Sequence, residues 1–222
     1  MLSLFTDISA RKGGTVKVAV ANLKGGTGKT LTSFFLATAL SRRGRTLLVD
    51  CDPQGSALSW AESADEGGEG LTFPVIGLAV RDVHRRLRAF ERDYEHVVLD
   101  TPPGELAIAR SALKAADVAV VAVPPTKIDL DRVIPTLELV ADVEDETGLT
   151  FRVLLTRVKR ISREGRDTRE VMEEMGLPVM GVEIPFLALY SDAFGAPIED
   201  LGEYERFARE LLGEPVGREV PA

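Results

Sequence analysis

The sequence predicts a single doubly wound α/β domain, one mostly parallel sheet with helices on both faces. Short unbroken runs of Val, Leu, Ile and Ala recur along the chain, as strands buried on both faces require. Stretches of helical patterning separate them, which is the alternation that builds βαβ units. At 222 residues, 45% of them hydrophobic, the chain suits one substantial core.

Residues 1–15 are mixed in character and end in Lys12-Gly13-Gly14, reading as an N-terminal arm. The first strand is expected at Val16–Ala21, followed by a glycine-rich turn and an apolar helix from Lys29 to Arg43 that Gly44 stops. Thr46 to Val49 reads as a second short buried strand. Further strands are expected at Val97–Leu99, Val118–Val123, Phe151–Val158 and Val179–Ile184. Helices are expected near Val83–Phe90, Ala107–Ala116, Leu130–Glu146, Arg166–Met175 and Glu199–Leu212. Glu62–Gly70, acidic and glycine-bearing, reads as a mobile surface loop. The domain is therefore expected over 16–215, with 216–222 as a tail and no internal repeat.

Composition narrows the function classes. A formal net charge of −8 argues against a surface basic all over for nucleic acid, though not against one local patch. The single cysteine, Cys51, allows no internal disulfide and no cysteine-ligated cluster within one subunit, and a cytoplasmic setting is expected. Beside two aspartates its thiolate is disfavoured, so Cys51 reads as a small buried spacer. His84 and His96 read as surface residues and do not suggest a zinc site. No basic start joins a long apolar run, and no stretch of roughly 18 apolar residues could span a bilayer.

The chemistry lies in Lys24-Gly25-Gly26-Thr27-Gly28-Lys29-Thr30, set between the first strand and the first helix. Glycines there let backbone N–H groups turn inward around phosphates, and the helix start adds its partial positive charge. Lys29 is placed to meet the β- and γ-phosphates of ATP, with the Thr30 hydroxyl on Mg²⁺. Position 23 holds Leu23 where the usual loop has glycine, and Lys24 is an additional lysine placed to reach a phosphate across a dimer interface. Two later strands end in acids: Asp50 and Asp52 in Leu47–Gly55, and Asp100 in His96–Gly104. Each acid alone reads equally well as a turn former. Three of them at strand ends beside a phosphate loop point to a metal–nucleotide site, with Asp100 bonding Mg²⁺ through its water shell.

Lys24–Thr30, Asp50–Gly55 and Asp100–Pro103 together resemble the three signatures of the ParA/MinD family of deviant Walker ATPases, P-loop proteins that bind Mg·ATP. Asp52-Pro53-Gln54-Gly55 resembles the ParA branch, as does Ile184-Pro185 with Ser191-Asp192-Ala193 and Gly195–Ile198. The resemblance runs from about Lys17 to Leu212, and without a helix-turn-helix before the first strand it is to the short ParA type. It implies an ATP-dependent homodimer in which Lys24 contacts the partner's nucleotide, Asp52 orients the attacking water and Asp50 supports the metal's water shell. It implies a γ-phosphate-sensing switch at Thr101–Gly104, with Leu31, Arg157 and Pro185 beside the nucleotide. It further implies slow hydrolysis stimulated by a ParB-like partner, and non-specific binding of double-stranded DNA on the nucleoid.

Arg152, Arg157, Lys159, Arg160, Arg163, Arg166 and Arg169 crowd into one window against Glu164 and Asp167. Lys159, Arg160, Arg163, Arg166 and Arg169 are the expected DNA contacts, the alternative being a solvated loop and helix start. Phe186, Leu187 and Leu189 stand where many ParA chains carry arginines. Competing readings are a MinD-like membrane ATPase, disfavoured by the acidic last helix, a small-substrate P-loop enzyme, and a positioning ATPase for another cargo.

Overall fold

The computed structural model describes residues 16–68, 70–90, 92–159 and 164–216. The expected arm at 1–15, the last six residues of the tail, and Arg160 and Arg163 lie outside them. Six strands form one sheet, β1 (Val16–Ala21), β2 (Thr46–Asp50), β3 (Val75–Gly77), β4 (His96–Asp100), β5 (Val118–Val123) and β6 (Thr150–Leu155). Their order is β3-β2-β4-β1-β5-β6, and every pairing is parallel. From β1 the chain first winds towards β2 and β3, then crosses back through β4 to β5 and β6. The crevice at this reversal, beyond the carboxyl end of β1, is where such sheets bind ligands.

Strand alternation splits the interior in two. Val18 and Val20 of β1 point into one core, shared with α1 (Lys29–Ser41), α2 (Ser56–Glu66) and α8 (Glu203–Leu211). Ala19 and Ala21 point into the other, covered by α3 (Val83–Arg86, continued as a 3₁₀ turn to Ala89), α4 (Leu106–Ala115), α5 (Lys127–Thr147) and α6 (Glu164–Glu174). α1 is buried on nearly every side from Thr32 to Leu40, as a helix wedged between sheet, α2 and α8 must be. Phe34 stacks on Trp60 of α2 with centroids 4.1 Å apart, and Phe35 stacks on Tyr204 of α8 at 4.6 Å. Each contact adds an aromatic pairing to the area it buries.

Three expectations are corrected. Glu62–Glu66 is not loop but the end of α2, because Ala57, Trp60 and Ala64 recur at helical spacing and bury one face. Val179–Ile184 runs beside β6 yet bridges it only at Val153–Val179. The N–H groups of Gly181 and Val182 donate instead to the Glu210 carboxylate of α8, at 2.6 and 2.9 Å, so no continuous ladder forms. The last helix starts at Glu203 rather than Glu199, after Gly202 with φ +49°. β3 and α7 (Ala188–Ser191) are too short to register as patterns.

Candidate functional site

The register of the sheet brings the motif acids together. Asp50 and Asp100 pair side by side across β2 and β4, and Val20 of β1 pairs with Asp100 from the other side. The loop between β1 and α1 therefore leaves the sheet directly beside both carboxylates. Gly26 and Gly28 adopt φ +76° and +89°, a conformation that costs side-chain-bearing residues but not glycine. The carbonyl of Gly28 accepts from Thr32 N at 2.9 Å and opens α1.

Buried and half-buried hydrogen bonds tie this loop down along its length. Asn22 donates to the Ala122 carbonyl at 2.8 Å and accepts from Lys24 N at 2.9 Å. Thr136 of α5 accepts from Leu23 N at 3.0 Å, and Leu23 packs against the second core, which is why leucine is tolerated where the usual loop has glycine. Thr156, just past β6, donates to the Thr27 carbonyl at 2.9 Å. Lys29 is buried and donates to the Lys24 carbonyl at 3.1 Å, lying over the mouth of its own loop. Burial lowers its pKa, while Asp100 and Asp52 act to raise it.

Asp100 accepts from Ser33 at 3.1 Å and also meets the Thr30 hydroxyl, but its Oδ2 is buried without a partner. Burial, with Asp50 alongside, pushes its pKa up to about 7. An orphaned buried carboxylate oxygen next to a threonine hydroxyl fits a hydrated divalent cation, and Thr30 and Asp100 would hold Mg²⁺ here, neutralising phosphate charge. Asp50 serves the loop: Oδ1 accepts from Asp52 N at 3.0 Å and Oδ2 from Ala57 N and Leu58 N at 2.9 and 3.0 Å, across the start of α2. Its desolvated carboxyl also has a raised pKa. Any support it gives a metal's water shell must come through lone pairs these bonds leave free. Asp52 is half-buried, holds Gln54 N at 2.9 Å, and faces the cleft.

The cleft measures about 570 Å³, within the range of ligand pockets. Gly25, Gly26, Gly28, Lys29, Thr30 and Leu31 form one wall, and Arg157, Pro185 and Phe186 close another. Arg157 takes φ +56°, donates to the Gly26 carbonyl at 2.9 Å, and stacks on Phe186 at 5.1 Å. It lines the cleft while staying exposed at its edge. Pro103 borders the same space, while Thr101 donates to the Val20 carbonyl and Gly104 N to the Leu23 carbonyl, so residues 101–104 rest on the loop. Cys51 is buried and its thiol pushed well up by burial, with Asp100, Asp50 and Asp52 adding to it.

Lys24 is turned back onto its own subunit, where Asp129 of α5 forms an ion pair with its ammonium. Asp129 is itself buried and accepts from the Thr126 hydroxyl at 2.5 Å. A second depression of about 380 Å³ opens at this pair, between Thr126, Pro124 and Lys159. Asp129, Asn22, Thr136, Ser33 and Thr156 were not singled out from sequence. Only Asn22, a polar residue closing an apolar strand beside the loop, carried a local signal.

Of the expected DNA contacts, Lys159 and Arg166 are exposed. Arg169 is engaged by Glu183 at 2.7 Å and Glu173 at 3.3 Å. The window is therefore less basic in space than in sequence.

The model of the CobQ/CobB/MinD/ParA nucleotide-binding domain matches residues 18–197, from β1 through the cleft. The chain belongs to this family. A Gloeobacter kilaueensis protein named Maintenance of carboxysome distribution protein A is 36% identical over 213 residues, covering 87% of this chain and 93% of its own. The Chromosome-partitioning ATPase Soj of Thermus thermophilus is 34% identical over 177 residues, covering 68% of this chain and 70% of its own. Among solved structures, a Cyanothece McdA–ATP complex superposes with a TM-score of 0.75 at 20% identity, over 93% of this chain and 99% of that one. The fold is thus that of the ParA/MinD-like nucleotide-binding ATPases.

Proposed function

We propose that this chain is a ParA-type ATPase that closes as a dimer over Mg·ATP, binds DNA without sequence choice while closed, and hydrolyses ATP slowly to distribute a cargo. The observation that carries this reading is the second lysine of the loop. Lys24 sits at the open side of the phosphate loop and is held by a single carboxylate, Asp129. A nucleotide phosphate on a second copy would offer it more charge than Asp129 does, so ATP exchanges one partner for another.

Within the cleft, Lys29 and the backbone N–H groups of the loop bind the phosphates, and Thr30 and Asp100 hold Mg²⁺. Asp52, half-buried at the rim, orients the attacking water. Such a site works by positioning and charge stabilisation rather than by a nucleophilic side chain. α8 supports the reading against a membrane-bound relative. Its apolar residues Tyr204, Phe207, Ala208 and Leu211 are buried against the core, leaving no apolar face for a bilayer. Among the described residues no helix is long and apolar enough to cross a membrane.

The names of the relatives divide the cargo between chromosome partitioning and carboxysome distribution. A ParB-like activator belongs to the first, and a positioning system for a protein body to the second. The 36% identical relative favours the second. Deleting the gene and scoring loss of a replicon against clustering of a cytoplasmic body separates them. The shared core is tested by light scattering with Mg·ATP: the wild-type chain dimerises, and Lys24→Ala stays monomeric while still binding ATP. An ATP-bound Lys24→Ala dimer as stable as wild type would remove the proposal.

A further inference from the structure

The 152–169 window is not the only arginine cluster in this acidic chain. Between Arg81 and Arg92 lie five arginines against Asp82 and Glu91. Val83 and Leu87 are buried on one side of this segment and Phe90 is half-buried, a spacing of four and three residues. Arg81, Arg85, Arg88 and Arg92 repeat at four, three and four residues, out of step with that buried side, and all four are exposed. Arg85 and Arg88 lie in the helical turns from Val83 to Ala89, about 5 Å apart along the axis, and Arg81 and Arg92 flank these turns in sequence.

Their surroundings leave the charge available. Arg86, which is off this line, takes up Asp82 at 3.0 Å. Glu146 is engaged by Arg110 and Lys114 across α4 and α5. Among the described residues no ion pair involves Arg81, Arg85, Arg88 or Arg92, whereas Arg169 of the other cluster is doubly paired. His84, between these side chains and Ser111 of α4, has its pKa lowered by burial and then by Arg85, Lys114 and Arg88, so these cations share one region of space.

We infer that this arginine ridge is a contact surface for the phosphate backbone of double-stranded DNA, separate from the 152–169 window and resting on the DNA-binding reading above. The chemistry favours a polyanion over a protein. Protein interfaces form around apolar or aromatic anchors, and no large apolar side chain from Arg81 to Arg92 is exposed. Phosphate contacts need only cations spaced along a line, and guanidinium suits phosphate geometry. A dimer would present two ridges, so the second contact adds by proximity rather than by new chemistry.

The test uses the full chain with Mg·ATP, a short duplex of arbitrary sequence, and anisotropy titrations at several salt concentrations. Arg85→Gln/Arg88→Gln is expected to dimerise and melt like wild type, bind about 10-fold or more weakly near 0.1 M salt, and show a salt slope flatter by roughly two units per subunit. Arg85→Lys/Arg88→Lys, which keeps the charge, is expected to retain the slope. A glutamine variant binding with the wild-type slope overturns the ridge while leaving the function standing. Wild-type protein that binds no DNA overturns the DNA-binding reading itself, and the ridge with it. An equal loss in Arg45→Gln/Arg209→Gln, which removes the same charge elsewhere, shows that net charge alone is read and overturns the ridge. So does a loss confined to vesicles of anionic phospholipid.

Discussion

Thr156 and Lys159 lie three residues apart where β6 leaves the sheet, yet they belong to opposite kinds of surface. Thr156 is buried, with its hydroxyl donating to the Thr27 carbonyl and its N–H to the Val123 carbonyl, so its place is set by the fold. Lys159 is exposed, and among the described residues no ion pair engages it. The cleft is built from groups whose position decides their chemistry, whereas the outer surface is built from charges whose sum decides it. Single substitutions should therefore act sharply in the first region and weakly in the second.

The largest effect is expected at Lys29. Removing one partner of a buried charge pair costs roughly 2–5 kcal/mol, so Lys29→Ala should weaken ATP binding by about 30-fold or more in a calorimetric titration. An affinity within a few-fold of wild type would show that the loop does not hold the phosphates.

Next is Asp50, where structure and motif assign different work. Its carboxylate accepts three backbone N–H groups around the start of α2. Asp50→Ala leaves those donors unpaired, one of them in a buried residue, and should cost about 3 kcal/mol of stability even without nucleotide. Wild-type melting of the apo variant, with loss confined to magnesium-dependent binding, would return Asp50 to the metal.

Asp100 supplies a pH signature. Its native pKa of about 7 lies above the unfolded value, so between the two the folded state holds the extra proton. That contribution is fully present at low pH and is lost as pH rises through about 7, making the apo protein less stable at pH 8 than near pH 6 on this account. Magnesium needs the ionised form, so Mg·ATP binding should change in the opposite direction. Asp100→Asn should remove the apo pH dependence and raise Tm at pH 8 by roughly a few degrees. An unchanged melting profile across this range would place the Asp100 titration elsewhere.

These cases show what could be read from the sequence. Five of the six strands followed from apolar runs, because burial on both faces leaves no choice of residue type, and the longer helices other than α2 followed from helical patterning. The phosphate loop was legible because backbone geometry demands Gly26 and Gly28. Asp129, Thr136 and Thr156 were not, since each reaches the loop only through the topology, 105 to 129 residues along the chain from the partner it holds. Glu62–Gly70 failed for a different reason: its composition suggested a loop, but Trp60 and Ala64 anchor most of it as helix. In the basic window the pairing of Arg169 could not be read from spacing, because Glu183, which engages it, lies outside 152–169.

The smallest effect is expected at Arg169. Arg169 is held between Glu173 one helical turn away and Glu183 in the segment beside β6. A guanidinium already shared by two carboxylates gains little from a phosphate, because approach of the anion means leaving or repelling both acids. Arg169→Gln should thus leave the salt slope of DNA binding within a fraction of a unit of wild type, while costing no more than about 1 kcal/mol of stability as a surface pair. Arg166, exposed one turn earlier and outside any ion pair among the described residues, is the contrast: Arg166→Gln should flatten the slope by roughly one unit if the window contacts phosphate at all. The two substitutions remove the same charge from the same helix, so net charge cannot explain a difference between them. If Arg169→Gln flattened the slope as much as Arg166→Gln, the pairing with Glu183 would not survive in the DNA-bound state. The window would then have to be counted at its full sequence charge.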